Sequence, residues 1–249
     1  MKALGLAFGG LLLVVVAAAA HGSDLVAGEA ALRRGEYAVA LSELRPLATR
    51  GMAAAQADIG VMYQQGLGVT RNIAQAREWY LKASTQGFSA AQGRLGNSYM
   101  DGEGGAPDYA KAFEWLGKAA LQGNVVAQSN LGMLYLKGFG TTQDFGKAAG
   151  WFFAAATAGS AYAQSNLGLM YASGRGVPKD LVVGYALLAL SAPTLDANGG
   201  IASRSARNLR VVAALMTPAQ LAQSGTLGTE MIMAGVLPTL AMRGVAFPR

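Results

Sequence analysis

The sequence contains no cysteine and only one histidine, His21, in 249 residues. Disulfides, thiolate nucleophiles and lipid-modified cysteines are therefore excluded. A single histidine near the N-terminus also excludes most imidazole-based catalysis and most zinc or iron sites, which use several such ligands. The sequence thus predicts a protein that is not an enzyme, holds no metal or cofactor, and is stabilised by packing alone.

Charge is scarce as well, since 14% of the residues are charged and 52% are apolar. Such a chain is too apolar to be disordered, and its many alanines and 34 glycines favour closely packed helices over sheets. The formal net charge is +6, which suits an anionic partner such as an acidic protein, a polysaccharide or a lipid surface. The basic residues are scattered along the chain, so a nucleic acid is not expected as a partner.

Long apolar runs are also rare. The N-terminal one, residues 4–16, follows Lys2 and precedes three alanines at 18–20, which is the pattern of a secretory signal peptide cleaved near Ala20. The run is shorter than the roughly twenty residues of a membrane span, so an uncleaved anchor is the less favoured alternative. We expect a periplasmic or secreted protein that meets the membrane only through its signal peptide.

The sequence does contain an internal repeat with a period of 36 residues. Several residue types recur at this interval without insertion, which excludes chance. They are Gln56, Gln92, Gln128 and Gln164; Gly60, Gly96, Gly132 and Gly168; Tyr63, Tyr99, Tyr135 and Tyr171; and Trp79, Trp115 and Trp151.

Each copy has the apolar spacing of two successive helices, here called helix A and helix B. Glycine readily takes the left-handed conformation that closes a helix, so the first helix A is expected to end at Gly66. The glycine inside helix A costs about 1 kcal/mol relative to alanine, so its recurrence predicts a close approach of two helices at Gly60. Helix B should begin after a residue whose side chain accepts hydrogen bonds from the first turn. These N-caps are Asn72, Asp108, Asp144 and Asp180.

The repeat pattern weakens toward both ends of the chain. We expect a signal peptide at 1–20, an atypical helical hairpin at 21–52, four full repeats at 53–192, and C-terminal capping helices with a tail at 193–249. Residues 193–200 predict a break, and Thr217 with Gln220 predicts the start of a helix. The apolar stretch 231–247 is interrupted by Pro238 and is expected to pack over the last hairpin, with membrane contact as the alternative.

These residues resemble the Sel-one-like repeats, a branch of the tetratricopeptide-like helical repeats. The motif A-x-x-x-L-G-x-x-Y, then G-x-G, an acidic cap, K-A, W and K-A-A-x-x-G is nearly complete in residues 91–123 and mostly kept in 55–87 and 127–159. The fourth copy departs from it, with Gly184 for alanine and Leu187 for tryptophan.

This resemblance implies an all-α solenoid, a right-handed superhelix of 36-residue helical hairpins whose A helices line the concave side. It also implies an adaptor or scaffold that binds a protein or peptide, with envelope sensors, secretion complexes and polysaccharide as expected contexts. One branch of the family resembles a β-lactam-binding enzyme, so a cell-wall or β-lactam hydrolase is the alternative function. The repeats of that branch are cross-linked by disulfides, which this chain cannot form because it has no cysteine.

Two positions of helix A vary in chemistry while their neighbours repeat. They lie two residues before and one residue after the recurrent glycine, so they share one face of the helix. The family resemblance implies that this face points toward the concave groove. Because packing does not fix them, they are our candidates for partner binding, against the alternative of an ordinary solvated face. The candidates are Asp58, Val61, Arg94, Asn97, Asn130, Met133, Asn166 and Leu169.

Three further patterns have structural explanations that we prefer. Asp101, Glu103 and Asp108 lack the ligand spacing of a calcium loop, so a solvated turn is expected. The G-x-G pairs follow no strand and recur in every repeat, as a turn does and a phosphate loop does not. The recurrent tyrosines and tryptophans have helical spacing, so we interpret them as core residues, although they could stack on a sugar or a peptide.

Overall fold

The structure, a computed structural model, describes residues 24–192 and 202–242. Every regular element in these two ranges is a helix. The predicted signal peptide, the predicted break at 193–200 and the end of the tail beyond 242 lie outside the described residues. The helices are α1 (24–34), α2 (Tyr37–Thr49), α3 (Ala53–Gln65), α4 (Ile73–Thr85), α5 (Ser89–Met100), α6 (Tyr109–Leu121), α7 (Val125–Lys137), α8 (Phe145–Thr157), α9 (Ala161–Ser173), α10 (Leu181–Ser191), α11 (Ala202–Ala213), α12 (Pro218–Ala234) and α13 (Val236–Met242).

The helices follow one another as packed hairpins, which confirms the predicted all-α repeat architecture. The A helices are α3, α5, α7 and α9, and the B helices are α4, α6, α8 and α10. Their contacts divide the chain into two compact units, and the boundary falls within and just after α5. The right-handed superhelix stays a prediction.

Unit 1 comprises the described residues up to Ser98 together with Gly102–Ala106. Its core is formed by small and branched side chains of α1, α2 and α3, among them Ala31, Leu44 and Ile59, all fully buried. Residues 24–34 and Tyr37–Thr49 thus form a helical hairpin ahead of the first full repeat, and α3 packs on both α2 and α4.

Unit 2 comprises Tyr99–Asp101 and the described residues from Pro107 onward. One core cluster lies between α6 and α7, and a larger one extends from α8 to α13. Met231, Val236 and Leu240 are buried in this larger cluster, so the described part of the apolar C-terminal stretch packs on the protein as expected.

The predicted helix ends are confirmed. Gly66 closes α3 in the left-handed conformation, with φ of 76°. The side chain of Asn72 accepts a hydrogen bond from the Gln75 amide at 3.0 Å, and the three aspartates at the equivalent positions cap α6, α8 and α10 in the same way. Thr217 and Gln220 form a complete capping box at the start of α12.

The close approach predicted at Gly60 is also confirmed. A Cβ atom at this position would lie 2.5 Å from Cε1 of the buried Tyr80 ring on helix B, which is closer than carbon atoms can pack. Gly132 lies against Phe152 in the same way, at 2.9 Å from its Cδ1 to a Cβ. At these two positions glycine is therefore required because an aromatic ring of helix B occupies the space of a side chain, whereas at Gly168 that space is taken by the Gly184 carbonyl and Leu188.

The recurrent glutamine has a role that its spacing alone did not reveal. Each one donates a hydrogen bond from Nε2 to a backbone carbonyl eight residues earlier, at the end of the preceding B helix or, for Gln56, at the end of α2. The pairs are Gln56 with Ala48 at 3.1 Å, Gln92 with Ser84 at 3.1 Å, Gln128 with Ala120 at 3.2 Å and Gln164 with Ala156 at 3.3 Å. Helix C-termini leave carbonyls without partners, so the glutamine fastens each hairpin to the one before it.

Candidate functional site

The A-helix candidates of unit 1 centre on Asp58 and Arg94. Asp58 is half-buried on α3, Arg94 is exposed on α5, and the two are close enough for Arg94 to act electrostatically on the Asp58 carboxyl. Glu29 and Arg33, which form an ion pair of 3.6 Å on α1, also act on Asp58. Three successive A-type helices of unit 1 therefore bring charged side chains to one place.

The Asp58 carboxyl is unusual because its Oδ2 atom is buried and has no hydrogen-bond partner. Burial, followed by the negative charge of Glu29, raises the pKa of Asp58 to about 6, although Arg94 and Arg33 act in the opposite direction. A buried carboxylate without a partner is costly. A shifted pKa of this kind is typical of residues at functional sites.

A polar chain lies next to this group. The hydroxyl of Tyr80, on α4, donates a hydrogen bond to Gln64 Oε1 at 2.7 Å, and Gln64 Nε2 donates to Glu103 Oε2 at 2.6 Å. Arg94 interacts with the Tyr80 hydroxyl as well, and burial raises the pKa of this tyrosine. The chain therefore links helix A, helix B and the loop after α5 within unit 1.

The two positions that Tyr80 and Gln64 occupy carry polar residues in the first repeat alone. At the positions equivalent to Tyr80, the later repeats have Leu116, Phe152 and Leu188, and at those equivalent to Gln64 they have Met100, Leu136 and Ala172. Sequence reasoning missed Tyr80, Gln64 and Glu103 as a group. The signal that reveals them is the replacement of two recurrently apolar positions by polar residues in one repeat.

The remaining candidates differ in how much surface they offer. In unit 1, Val61 is only 9% exposed and Asn97 is half-buried. In unit 2, Met133 packs partly against the larger core cluster, and Asn130 is half-buried. On α9, Asn166 donates a hydrogen bond from Nδ2 to the Tyr162 carbonyl at 2.8 Å, while Leu169 is 37% exposed.

The recurrent tryptophans are half-buried, so their interpretation as core residues is only partly right. Trp79 and Trp151 pack against core clusters and remain partly exposed. In the first two repeats one face of the ring is covered by a lysine of the same helix: Lys82 Nζ lies 4.1 Å from the Trp79 ring centroid, and Lys118 Nζ lies 4.1 Å from that of Trp115.

Two searches of the described residues bear on other kinds of site. Within 24–192 and 202–242, no group of three or more histidine, cysteine or acidic side chains is arranged to hold a metal ion. In the acidic turn at 101–108, Glu103 accepts the hydrogen bond from Gln64 and Asp108 caps α6. None of the helices described is both long and apolar enough to cross a membrane.

Comparison with known protein families finds four repeats over the range 53–192, as the sequence predicts. The profile of the Sel1 repeat family matches residues 53–88, 89–124, 125–160 and 161–192. A comparison with curated proteins found no match.

Two solved structures are similar to this chain. A Sel1 repeat protein from Oxalobacter formigenes is 35% identical, with a TM-score of 0.64 over 69% of this chain and 71% of that one. The protein c5321, described as a protective antigen of uropathogenic Escherichia coli strains with an SLR fold, is 28% identical, with a TM-score of 0.53 over 82% of this chain. This chain spans about half the length of c5321, since the match covers 50% of it.

Proposed function

Because the chain belongs to the Sel1 repeat family, we propose that it is a scaffold that binds a partner protein or peptide along its A helices. The observation that carries this proposal is the variable face of helix A. In unit 1 this face presents the charges of Asp58 and Arg94 beside the Tyr80 chain, while the opposite face is occupied by repeated packing residues. Repeats that share a core but differ on one face are typical of solenoids that recognise a partner there.

The same proposal extends to unit 2 through its own A helices. Asn130 on α7 and Asn166 on α9 occupy the positions equivalent to Asp58 and Arg94. Amide side chains can both donate and accept hydrogen bonds, which suits the backbone of an extended peptide. Unit 1 thus offers a carboxylate and a guanidinium, and unit 2 offers two amides.

Capture experiments test the proposed function. The protein, immobilised through its C-terminus, should retain a specific protein from an envelope extract, and Arg94→Glu with Asn130→Ala should reduce the retained amount at least tenfold. Arg210→Glu with Gln223→Ala is the matched control, because it makes the same two kinds of change at exposed positions of α11 and α12. Equal capture by both double variants would refute the A-helix site.

We further propose that the protein is exported to the periplasm or secreted, where an envelope sensor or a secretion complex would be the partner. The apolar segment at 4–16 and the alanines at 18–20 support this proposal. Fractionation and N-terminal sequencing of the protein from cells should find a mature chain that begins close to residue 21. A full-length chain in the cytoplasmic fraction would overturn it.

No observation favours the alternative of a cell-wall or β-lactam hydrolase over a scaffold. The Tyr80 hydroxyl is buried, and burial raises the pKa of this group, which makes it a poorer nucleophile or base at neutral pH. An assay with peptidoglycan fragments and a chromogenic β-lactam separates the two functions, since sustained turnover by the purified protein would establish the hydrolase.

A further inference from the structure

A cleft of about 620 Å³ lies on helix B of the third repeat, in unit 2. Trp151 and Tyr135 supply its aromatic walls, and Lys147 and Asp144 are at its rim. The cleft is on α8 and involves none of the A-helix candidates. It is therefore independent of the site proposed above.

The cleft exists because long side chains of the first two repeats are replaced by small ones in the third. Glu78 and Glu114 become Gly150, and Lys82 and Lys118 become Ala154. Positions 150 and 154 are one helical turn apart, so they lie on the same face of α8. The equivalent cleft of the first repeat, which Glu78 and Lys82 help to line, is smaller, at about 340 Å³.

The replaced lysine is the one that covers the tryptophan in the other two repeats. The ammonium groups of Lys82 and Lys118 lie 4.1 Å from the ring centroids of Trp79 and Trp115, which is the geometry of a cation–π interaction. Trp151 has no such lysine in its own helix, because position 154 is alanine. In two repeats a lysine ammonium group therefore lies over the tryptophan ring, and in the third repeat the equivalent lysine is missing.

We propose that the Trp151 cleft binds a basic side chain, lysine or arginine, of another protein. The incoming cation takes the place over the Trp151 ring that the chain's own lysine takes in the first two repeats. The aliphatic stem of such a side chain packs against Ala154 and Gly150, as lysine and arginine stems do on apolar surfaces.

The charges at the rim are compatible with a cation. Lys147 is paired with Asp144 at 3.7 Å and lies 5.5 Å from the Tyr135 ring centroid, so its charge is partly balanced and is directed at the tyrosine. Gly150 lacks the carboxyl that Glu78 and Glu114 supply at this position in the first two repeats. That carboxyl is not needed to attract a cation to an aromatic face, because the ring quadrupole itself does so.

Indole signals in a ¹⁵N–¹H NMR spectrum test the proposal, because the chain has three tryptophans and hence three such signals. The probe is a ten-residue glycine–serine peptide with one central lysine. We expect it to shift the Trp151 signal in a saturable manner and to leave those of Trp79 and Trp115 unchanged, since these rings are already covered. The same peptide with norleucine, which has the stem without the charge, should bind at least threefold more weakly. Equal binding of norleucine, or no shift of Trp151, would overturn the proposal.

Two variants separate the cleft from general charge effects. Ala154→Lys restores the intramolecular cation and should lower the affinity for the peptide at least tenfold, whereas Met233→Lys, which adds the same charge at an exposed site on α12, should not change it. Conversely, Glu114→Gly with Lys118→Ala should make the Trp115 signal respond as Trp151 does. Binding that survives Ala154→Lys would contradict the proposed place of the cation.

The probes also distinguish other occupants of the cleft. A shift of the Trp151 signal with cellotetraose but not with the lysine peptide would replace the basic side chain by a sugar ring. Because none of the A-helix candidates lines the cleft, loss of partner capture through Arg94→Glu with unchanged peptide binding at Trp151 would support two separate binding sites.

Discussion

A single methyl group at position 60 would overlap the ring of Tyr80. Gly60→Ala should therefore lower the free energy of unfolding by about 1–3 kcal/mol, the usual cost of overpacking a core, despite the better helix propensity of alanine. The matched control is Gly117→Ala in α6, where a Cβ meets no atom within 4 Å. That variant should gain roughly 1 kcal/mol from helix propensity alone.

Urea unfolding followed by circular dichroism measures both variants. We expect the free energy of unfolding to fall for Gly60→Ala and to rise for Gly117→Ala. Both glycines lie inside helices, and only Gly60 has an aromatic ring against it. A gain in stability for Gly60→Ala would mean that the Tyr80 ring moves aside without cost.

The carboxyl of Asp58 makes stability depend on pH. Its pKa is raised to about 6 in the folded protein, above its ordinary value of 3.8, because the group is buried and near Glu29. Folding favours the protonated form of Asp58. Its contribution to the free energy of unfolding is therefore fully present below about pH 4 and is lost as the pH rises through 6. Asp58→Asn keeps the group neutral and should therefore melt at the same temperature as the natural protein at pH 4 and at a higher one at pH 7.5.

Thermal unfolding of both proteins between pH 4 and 8 checks this expectation, and the difference between the two curves removes the effect of all other groups. A difference that does not grow with pH would show that Asp58 is solvated or paired in the folded protein.

For single residues, the sequence predicts the roles of those that recur in every repeat and does not predict the roles of those that occur once. Gly60 and the caps recur at a fixed interval, so their roles can be deduced from spacing. The Tyr80–Gln64–Glu103 chain depends on side chains that occur once and meet only when helix B folds back on helix A. Their hydrogen bonds follow from tertiary packing, which a periodic pattern does not contain.

In the helical hairpin of the third repeat, the capping residue Asp144 connects α8 to α7. Asp144 accepts a hydrogen bond from the Lys147 amide at 2.9 Å, and its own amide donates to the Tyr135 carbonyl at 3.0 Å. Asp144→Ala should lower the free energy of unfolding by about 1 kcal/mol, and Asp144→Asn by much less, because asparagine caps about as well as aspartate. Urea unfolding distinguishes them, and equal losses would assign the effect to the exposed ion pair with Lys147 instead.

Helix boundaries follow from the sequence because caps and glycines mark them, whereas the degree of burial does not. The tryptophans have the spacing of core residues, yet the structure leaves all three only half-buried. Helical periodicity gives the direction of a side chain but not the depth of the surface it meets.

For the molecule as a whole, the C-terminal helices cover the last repeat. Met231, Val236 and Leu240 are at most 6% exposed within the larger core cluster of unit 2. Deleting residues 230–249 should expose this cluster, lower the melting temperature and reduce solubility. Met233→Ser on the exposed side of α12 is the control and should change neither, since this side chain is 84% exposed. An unchanged melting temperature after the deletion would mean that the capping helices do not stabilise the repeats.

The glutamine that fastens each hairpin to the preceding one also bears on how such a chain grows. Gln92 donates to the Ser84 carbonyl and Gln128 to that of Ala120. The acceptor at the junction between repeats is thus a backbone group, whatever side chain that residue carries. An in-frame duplication of 36 residues supplies both the donor and the acceptor of this hydrogen bond at once. Adding or removing a whole repeat therefore leaves this hydrogen bond intact at each junction, while the exposed residues of a repeat can differ from one copy to the next, as Gly150 and Ala154 differ from their equivalents.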